Sequence, residues 1–593
     1  MVSLRMTRNL VRTGLLALGM STTVILPATL SAQSQSMAAH YSQNSKQTGQ
    51  IPSVLSSEER EHYREVFRAI EREQWDEVEE LIEQRKDGLL YQTALAEYYT
   101  HANSPKIDAE RIAAWFKLGV HLPQAEQLSR MGATRGLATL PELPREQSFR
   151  GQPYAPKRIL PRSIVDGTIS SETRTAILDR IKNDDPAGAH ALLLEAEPQL
   201  SSVSRAEWRQ RVAWSYYIEN NDVAALDLAA TVSEGEGEWV AEGEWVAGLA
   251  AWRLGDCVRA ADAFANAASR SGNVELTSAA HYWAHRSLIR CREPGQAQLH
   301  LSTAARYDET LYGMLAADQL GIDLPSDEAP RPFTKEDWRD VGDIYNVRIA
   351  AALVEIGRPG LADEVLRHQV RVGDAREFEP LARLARELGL PSTQLFMAHN
   401  APHGQRSEGS LRFPVARWQP SDGWKVDPSL AFAHALQESN FRARAVSPAN
   451  ARGLMQITPI TVRQHAPRLN MSANYVDLDD PEVNLSFGQR NLEMLRDDPA
   501  TQGRLPKIMA AYNAGLTPIS RWNYEINDQN DPLLYMESIP YWETRGYVAI
   551  VMRNYWMYER AAGVPSPSRR ALAQGLWPEF PDMARSRSAY LER

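Results

Sequence analysis

Residues 427–441 read Asp427-Pro428-Ser429-Leu430-Ala431-Phe432-Ala433-His434-Ala435-Leu436-Gln437-Glu438-Ser439-Asn440-Phe441. Asp427 is suited to capping free backbone N–H groups, and Pro428 loses nothing at a first helical position, so a helix starts here. Leu430, Phe432 and Leu436 carry it to Glu438 in its last turns, before Asn440-Phe441. A carboxylate near a helix carboxy terminus feels the negative end of the macrodipole, and partial burial disfavours its charge further. Both effects raise its pKa, which is what a general acid needs to hold its proton until a leaving oxygen arrives. An isolated Glu at a helix end is ordinarily a solvated surface residue, so the surrounding sequence has to decide.

That surrounding sequence is specific. Ser447-Pro448-Ala449-Asn450-Ala451-Arg452-Gly453 reads as a loop in which Gly453 lets the backbone approach a ligand closely. Leu454, Met455 and Gln456 follow at a loop-to-helix junction, because Thr458-Pro459 caps the next helix. Leu505-Pro506 starts a further helix that ends in Tyr512-Asn513, with Gly515 as its stop. Taken singly, Met455 reads as core and Tyr512 as a packed aromatic. In this order, one acid, a glycine-broken amide loop and a Tyr-Asn pair are the parts of a glycan-cleaving cleft. Other chemistries lack their motifs: there is no Gly-x-Ser-x-Gly, His-Glu-x-x-His, Gly-x-x-x-x-Gly-Lys or Gly-x-Gly-x-x-Gly.

Around this domain the chain of 593 residues is too long for one core. Arg5, Arg8 and Arg12 precede an uncharged, largely apolar stretch with a small-residue end near Ser31-Ala32, so residues 1–32 read as a signal peptide. A retained membrane helix is the alternative, weakened by Pro27. Residues 33–52, rich in Ser and Gln, read as a disordered linker. Residues 53–325 carry apolar residues at three-and-four spacing and a loose period of about 34 residues, the pattern of stacked helix pairs in a solenoid. Trp239 and Trp245 fall in a six-residue duplication at a helix entry there. Pro325, Pro330 and Pro332 mark a break, 326–404 reads as a helical linker domain, and 405–593 forms the last domain. Cys257 and Cys291 are the only cysteines; in an oxidising setting they read as a disulfide rather than a metal site, with two buried thiols as the alternative. Net charge is −10, but from residue 410 onward 21 Lys+Arg against 19 Asp+Glu leave about +2. An acidic chain without a basic stripe argues against nucleic acid as partner.

From about 415 to 560 the sequence resembles the catalytic domain of the soluble lytic transglycosylases. The resemblance rests on Glu438-Ser439 with Phe441, on Ser447 and Gly453-Leu454-Met455-Gln456-Ile457, and on Ala511-Tyr512-Asn513-Ala514-Gly515. Its last block is Glu537-x-Ile539-Pro540-Tyr541-x-Glu543-Thr544-x-x-Tyr547. The chain departs from the family at Asn450, usually glycine, a position that Asn tolerates in the left-handed conformation. The resemblance implies a mainly α fold: a long helical solenoid, in that family a superhelical ring, followed by a lysozyme-like, mostly helical catalytic domain. It implies cleavage of the β-1,4 bond between N-acetylmuramic acid and N-acetylglucosamine, with Glu438 as acid and then as base while the 6-hydroxyl closes a 1,6-anhydro ring. By the same resemblance Tyr512 hydrogen-bonds Glu438, Ser447 and Gln456 contact the glycan, Met455 packs on it, and Ser439, Gly453, Leu454, Asn513, Glu537 and Tyr547 support the site. The implied partner is the glycan strand of peptidoglycan, met by an exported, periplasmic protein with no membrane span after leader removal and no metal or organic cofactor. A hydrolytic muramidase would need a second carboxylate, Glu543 or Glu482, and a glycan-binding scaffold would need no acid at all.

Overall fold

The computed structural model describes residues 51–324 and 331–581. The signal peptide expected at 1–32 lies outside the described residues, as does the expected linker except for its last two positions. Ile51, at the end of that linker, is buried in a core.

Helices dominate, and most start where a short polar side chain can take the free N–H groups of the first turn. Ser56 and Glu59 form a reciprocal capping box. Asp185, Asp427, Asp480 and Asp531 each accept backbone N–H bonds immediately before a proline at the first helical position. Among the described residues the only strands are Phe149–Gly151 and Asn400–Pro402, an antiparallel pair joining distant parts of the chain.

Two large apolar cores organise these helices. The first gathers Tyr63, Phe67, Trp115 and their neighbours up to Leu128 with Val347, Leu366, Leu384 and others between Phe333 and Leu411. Residues 333–411 thereby close over the first helices of the chain, a pairing across more than 200 residues. The second core runs from Ile169 through Trp245, Trp283 and Leu315 into Phe432, Ile508, Val548 and Trp556, so the later solenoid helices and the last domain share it. Polar bonds cross the same boundary. Tyr217 shares a 2.8 Å hydrogen bond with the Ser538 hydroxyl, Arg253 donates to that hydroxyl at 2.9 Å, and Tyr312 donates to Glu537 at 2.6 Å.

In the solenoid, the duplicated segment opens the Trp239–Leu254 helix, with both tryptophans buried. Gly248 is required there: a Cβ would stand 2.6 Å from the Phe264 ring. Cys257, at the start of the next helix, is bonded to Cys291, which caps the Val274–Arg290 helix. The bridge closes a loop of 34 residues. Replacing both cysteines by serine is expected to remove about 3–4 kcal/mol of stability through unfolded-chain entropy. Denaturant titration of the two proteins, without reductant, measures it. No helix among the described residues is long and apolar enough to cross a membrane.

Candidate active site

Glu438 lies near the end of the Pro428–Ser439 helix, which packs along the Trp542–Ala561 helix. Asp427 pins the far end by accepting from the Ser429 N–H at 2.8 Å and from the Tyr555 hydroxyl at 3.0 Å. After Ser439 the chain turns through two successive left-handed residues, Asn440 at φ 51° and Phe441 at φ 58°. Asn accepts that conformation at low cost, whereas an aromatic does so only when its surroundings hold it. Phe441 is held by burial against Phe432, ring centroids 5.8 Å apart. The acid thus sits at a sharply defined helix end.

Glu438 Oε1 accepts a 2.7 Å hydrogen bond from the Tyr547 hydroxyl. Burial pushes its carboxyl up to about 7, against the pull of the Tyr547 bond and with a further push from the negative charge of Glu543. Tyr547 also lies 2.8 Å from Nδ1 of His434, which is fully buried one turn before Glu438. The Tyr512 ring packs beside His434, centroids 4.6 Å apart, and stands nearly parallel to Tyr547. The expected bond from Tyr512 to Glu438 is absent: Tyr512 donates to the Met455 carbonyl at 2.8 Å, and Tyr547 is the acid's partner. Tyr512 therefore ties the 453–457 loop to the acid helix. Asn513, next to it, accepts from the Thr544 hydroxyl at 2.7 Å and fixes the start of the Tyr547 helix.

The amide loop is built differently from the expectation. Leu454 and Met455 are fully buried, and the Met455 sulfur presses on Gly488, where a Cβ would stand 2.0 Å from it. Met455 belongs to the core, as its residue type alone suggests. Gly453 has φ +75°, and a Cβ there would meet Asn484 Nδ2 at 2.0 Å and the Leu478 carbonyl at 2.4 Å. The close approach it permits is to protein atoms. Gly453→Ala is expected to cost about 3 kcal/mol or more, from overlap together with left-handed strain; a denaturant midpoint unchanged from wild type would contradict this.

Asn484 is the organiser that sequence reading missed. Buried in the Pro481–Asp497 helix, it accepts from the Met455 N–H at 2.9 Å and donates to the carbonyls of Arg452 and Leu478. The Asp480-Pro481 helix start three residues earlier was the available signal. Ser447 accepts from the Ala451 N–H at 3.0 Å, Asn450 takes the left-handed turn at φ 59°, and Gln456 donates to the Gly453 and Ala445 carbonyls. Gln456 thereby spends its amide donors inside the loop. Ser439 is buried and donates to the Ala435 carbonyl within its own helix. Glu537 joins the solenoid through Tyr312 and lines a cavity of about 210 Å³ with Arg158, Trp214, Trp542 and Arg545, apart from the acid.

Of the two rival carboxylates, Glu543 acts on Glu438 through its charge, and Glu482 is not among the groups that shift it. No cluster of three or more metal-ligating side chains occurs among the described residues. A void of about 1230 Å³ lies between the first core and the segment after the acid, bounded by Glu97, Arg358 and Glu364 on one side and Phe441, Arg442 and Arg444 on the other.

The fold and site define a mainly helical protein whose last domain sets a half-buried acid, hydrogen-bonded by a tyrosine, at a strained helix end. Residues 418–534 match the family model described as the transglycosylase SLT domain. The chain is 34% identical over 148 residues to the soluble lytic murein transglycosylase of Escherichia coli, and 33% identical over 159 residues to that of Salmonella typhimurium. These matches cover 24% and 26% of this chain, and 22% and 24% of the two relatives. Over 88% of its length the fold superposes on 99% of a 70-kDa soluble lytic transglycosylase solved with bulgecin A, at TM-score 0.51 and 18% identity. The expected order, helical solenoid and then lysozyme-like helical domain, is thereby met.

Proposed function

We propose that the protein is a lytic transglycosylase of peptidoglycan. The observation that carries this is Glu438: half-buried, raised to about 7, and hydrogen-bonded by Tyr547 on one oxygen. Below its pKa the acid holds a proton. It passes that proton to the glycosidic oxygen as the bond from C1 of N-acetylmuramic acid breaks. The 6-hydroxyl of the same sugar then bonds to C1, and its proton returns to the Glu438 carboxylate, giving a 1,6-anhydro end without consuming water. One carboxylate serves both steps, so the exposed Glu543 needs no direct role in the chemistry.

The void that opens beyond Phe441, a few residues after the acid, is bounded by the first helical core, which supports a role for the helical arm in orienting the glycan and limiting where it is cut. Ser447 and Gln456 support the walls of the cleft through the loop they close. The basic and apolar leader supports export to the periplasm, where glycan strands are the partner.

Mass analysis of purified peptidoglycan digested by the protein tests the reading: anhydro-muramic ends are expected. Reducing ends would turn the site into a muramidase with Glu543 as second carboxylate, the rival favoured by its charge on Glu438. The acid must be protonated to begin, so kcat/KM is expected to fall as pH rises through about 7. A pH–rate series on a fixed glycan substrate checks this, and a profile still rising at pH 8 would contradict it.

A further inference from the structure

The proposed reaction leaves one polar side chain at the site unused. His434 lies four residues before Glu438 on the same helix and is fully buried. Its Nδ1 is 2.8 Å from the Tyr547 oxygen, which is 2.7 Å from Glu438 Oε1. The three groups form a continuous line.

Tyr547 has one proton to donate. It donates to Glu438, so its oxygen can only accept from His434, and Nδ1 must carry the hydrogen. The other end of the ring agrees. Nε2 is buried and has no partner among the described residues. A buried N–H without an acceptor is rarer and costlier than a bare lone pair, so the proton belongs on Nδ1. The ring does not carry both protons, because burial pushes the imidazolium down to about 3. The titratable groups near it are Glu438 on its own helix, Tyr512 on the Leu505–Ala514 helix and Tyr547 on the Trp542–Ala561 helix, with Glu543 acting on Glu438 from that last helix.

The direction of this line matters to an acid. A carboxylic acid carries its proton on one oxygen. Oε1, already accepting from Tyr547, is the better carbonyl oxygen, which leaves the proton on Oε2. In the reverse direction Glu438 would donate to Tyr547 and Tyr547 to His434, and the acid's proton would be spent inside the protein.

We propose that neutral His434, held as its Nδ1–H tautomer, is a positioning residue that fixes the direction of the line from His434 through Tyr547 to Glu438 and keeps the acid's proton on Oε2. The proposal rests on Glu438 being the acid. Its sequence position gives no hint of it, since the residue reads as one more member of an apolar helix.

Nitrogen NMR of the full-length, histidine-labelled protein tests the tautomer without any turnover. A ring protonated on Nδ1 and bare on Nε2, unchanged from about pH 5 to 8, is expected; an Nε2-protonated ring or an imidazolium overturns the proposal. In kinetics, His434→Phe is expected to lower kcat roughly tenfold or more with KM little changed, and to add nothing in a Tyr547→Phe background. Additive losses overturn the proposal. Should His434→Phe fail to fold, the NMR result on wild type decides. Failure of the underlying reading looks different, because Glu438→Gln would then still cleave glycan whatever the tautomer.

Discussion

Glu438→Gln is expected to lower turnover of peptidoglycan by a factor on the order of a thousand or more, because the amide has no proton to give and no charge with which to take one back. The substitution is nearly isosteric, and its carbonyl can still accept from Tyr547, so the fold is expected to persist. Stability should move the other way. The wild-type carboxyl is raised from 4.5 to about 7 in the folded state, so the folded protein binds this proton more tightly than the unfolded chain. That advantage is complete below about pH 4.5 and is lost as pH rises through about 7. At pH 8 the wild type therefore carries a burial cost that the glutamine does not, and the variant should be more stable there by up to about 3 kcal/mol. Denaturant curves at pH 4.5 and pH 8 separate the two regimes. Equal stability gains at both would show that the buried charge is not their source.

Tyr547→Phe is the second large effect. It removes the Tyr547 hydrogen bond on Glu438 Oε1 and leaves the carboxylate to burial and to the charge of Glu543. Turnover should fall roughly a hundredfold, the range seen when a single oriented donor is taken from a charged reacting group. The bond pulls the pKa of Glu438 down, so its loss should also carry the falling limb of the pH profile to higher pH. A limb that stays in place, or moves to lower pH, would show that Tyr547 does not set the acid. Tyr512→Phe separates the two tyrosines: it cuts the tie to the Met455 carbonyl and should loosen the loop while leaving that limb where it was.

What local chemistry dictates was legible in the sequence. Asp427-Pro428 and Thr458-Pro459 start helices where capping logic places them, the early proline of Leu505-Pro506 marks another start, Gly515 ends that helix, and Asn450 takes the left-handed turn. Glu438 at a helix end followed from the same logic. Contacts set by docking between distant helices were not legible. Which tyrosine reaches the acid depends on how the Trp542–Ala561 helix lies along the Pro428–Ser439 helix, more than a hundred residues away. Met455 turned inward because Gly488 makes room for it on another helix, and Asn484 could be recognised as a loop organiser only once that helix was in place. The same reason hid the shared core of residues 51–128 and 333–411, whose apolar periodicity names a buried face without naming its partner. Glu537 shows the limit of motif order: it stands in the family block, yet its nearest partner is Tyr312 of the solenoid.

The central claim is that the strand is opened by the substrate's own hydroxyl rather than by water. Digestion of purified peptidoglycan in heavy-oxygen water, followed by weighing the newly formed muramic ends, tests it most directly. Anhydro ends carrying no heavy oxygen are predicted; ends that take up one heavy oxygen would mean that water attacks C1, and would contradict the account.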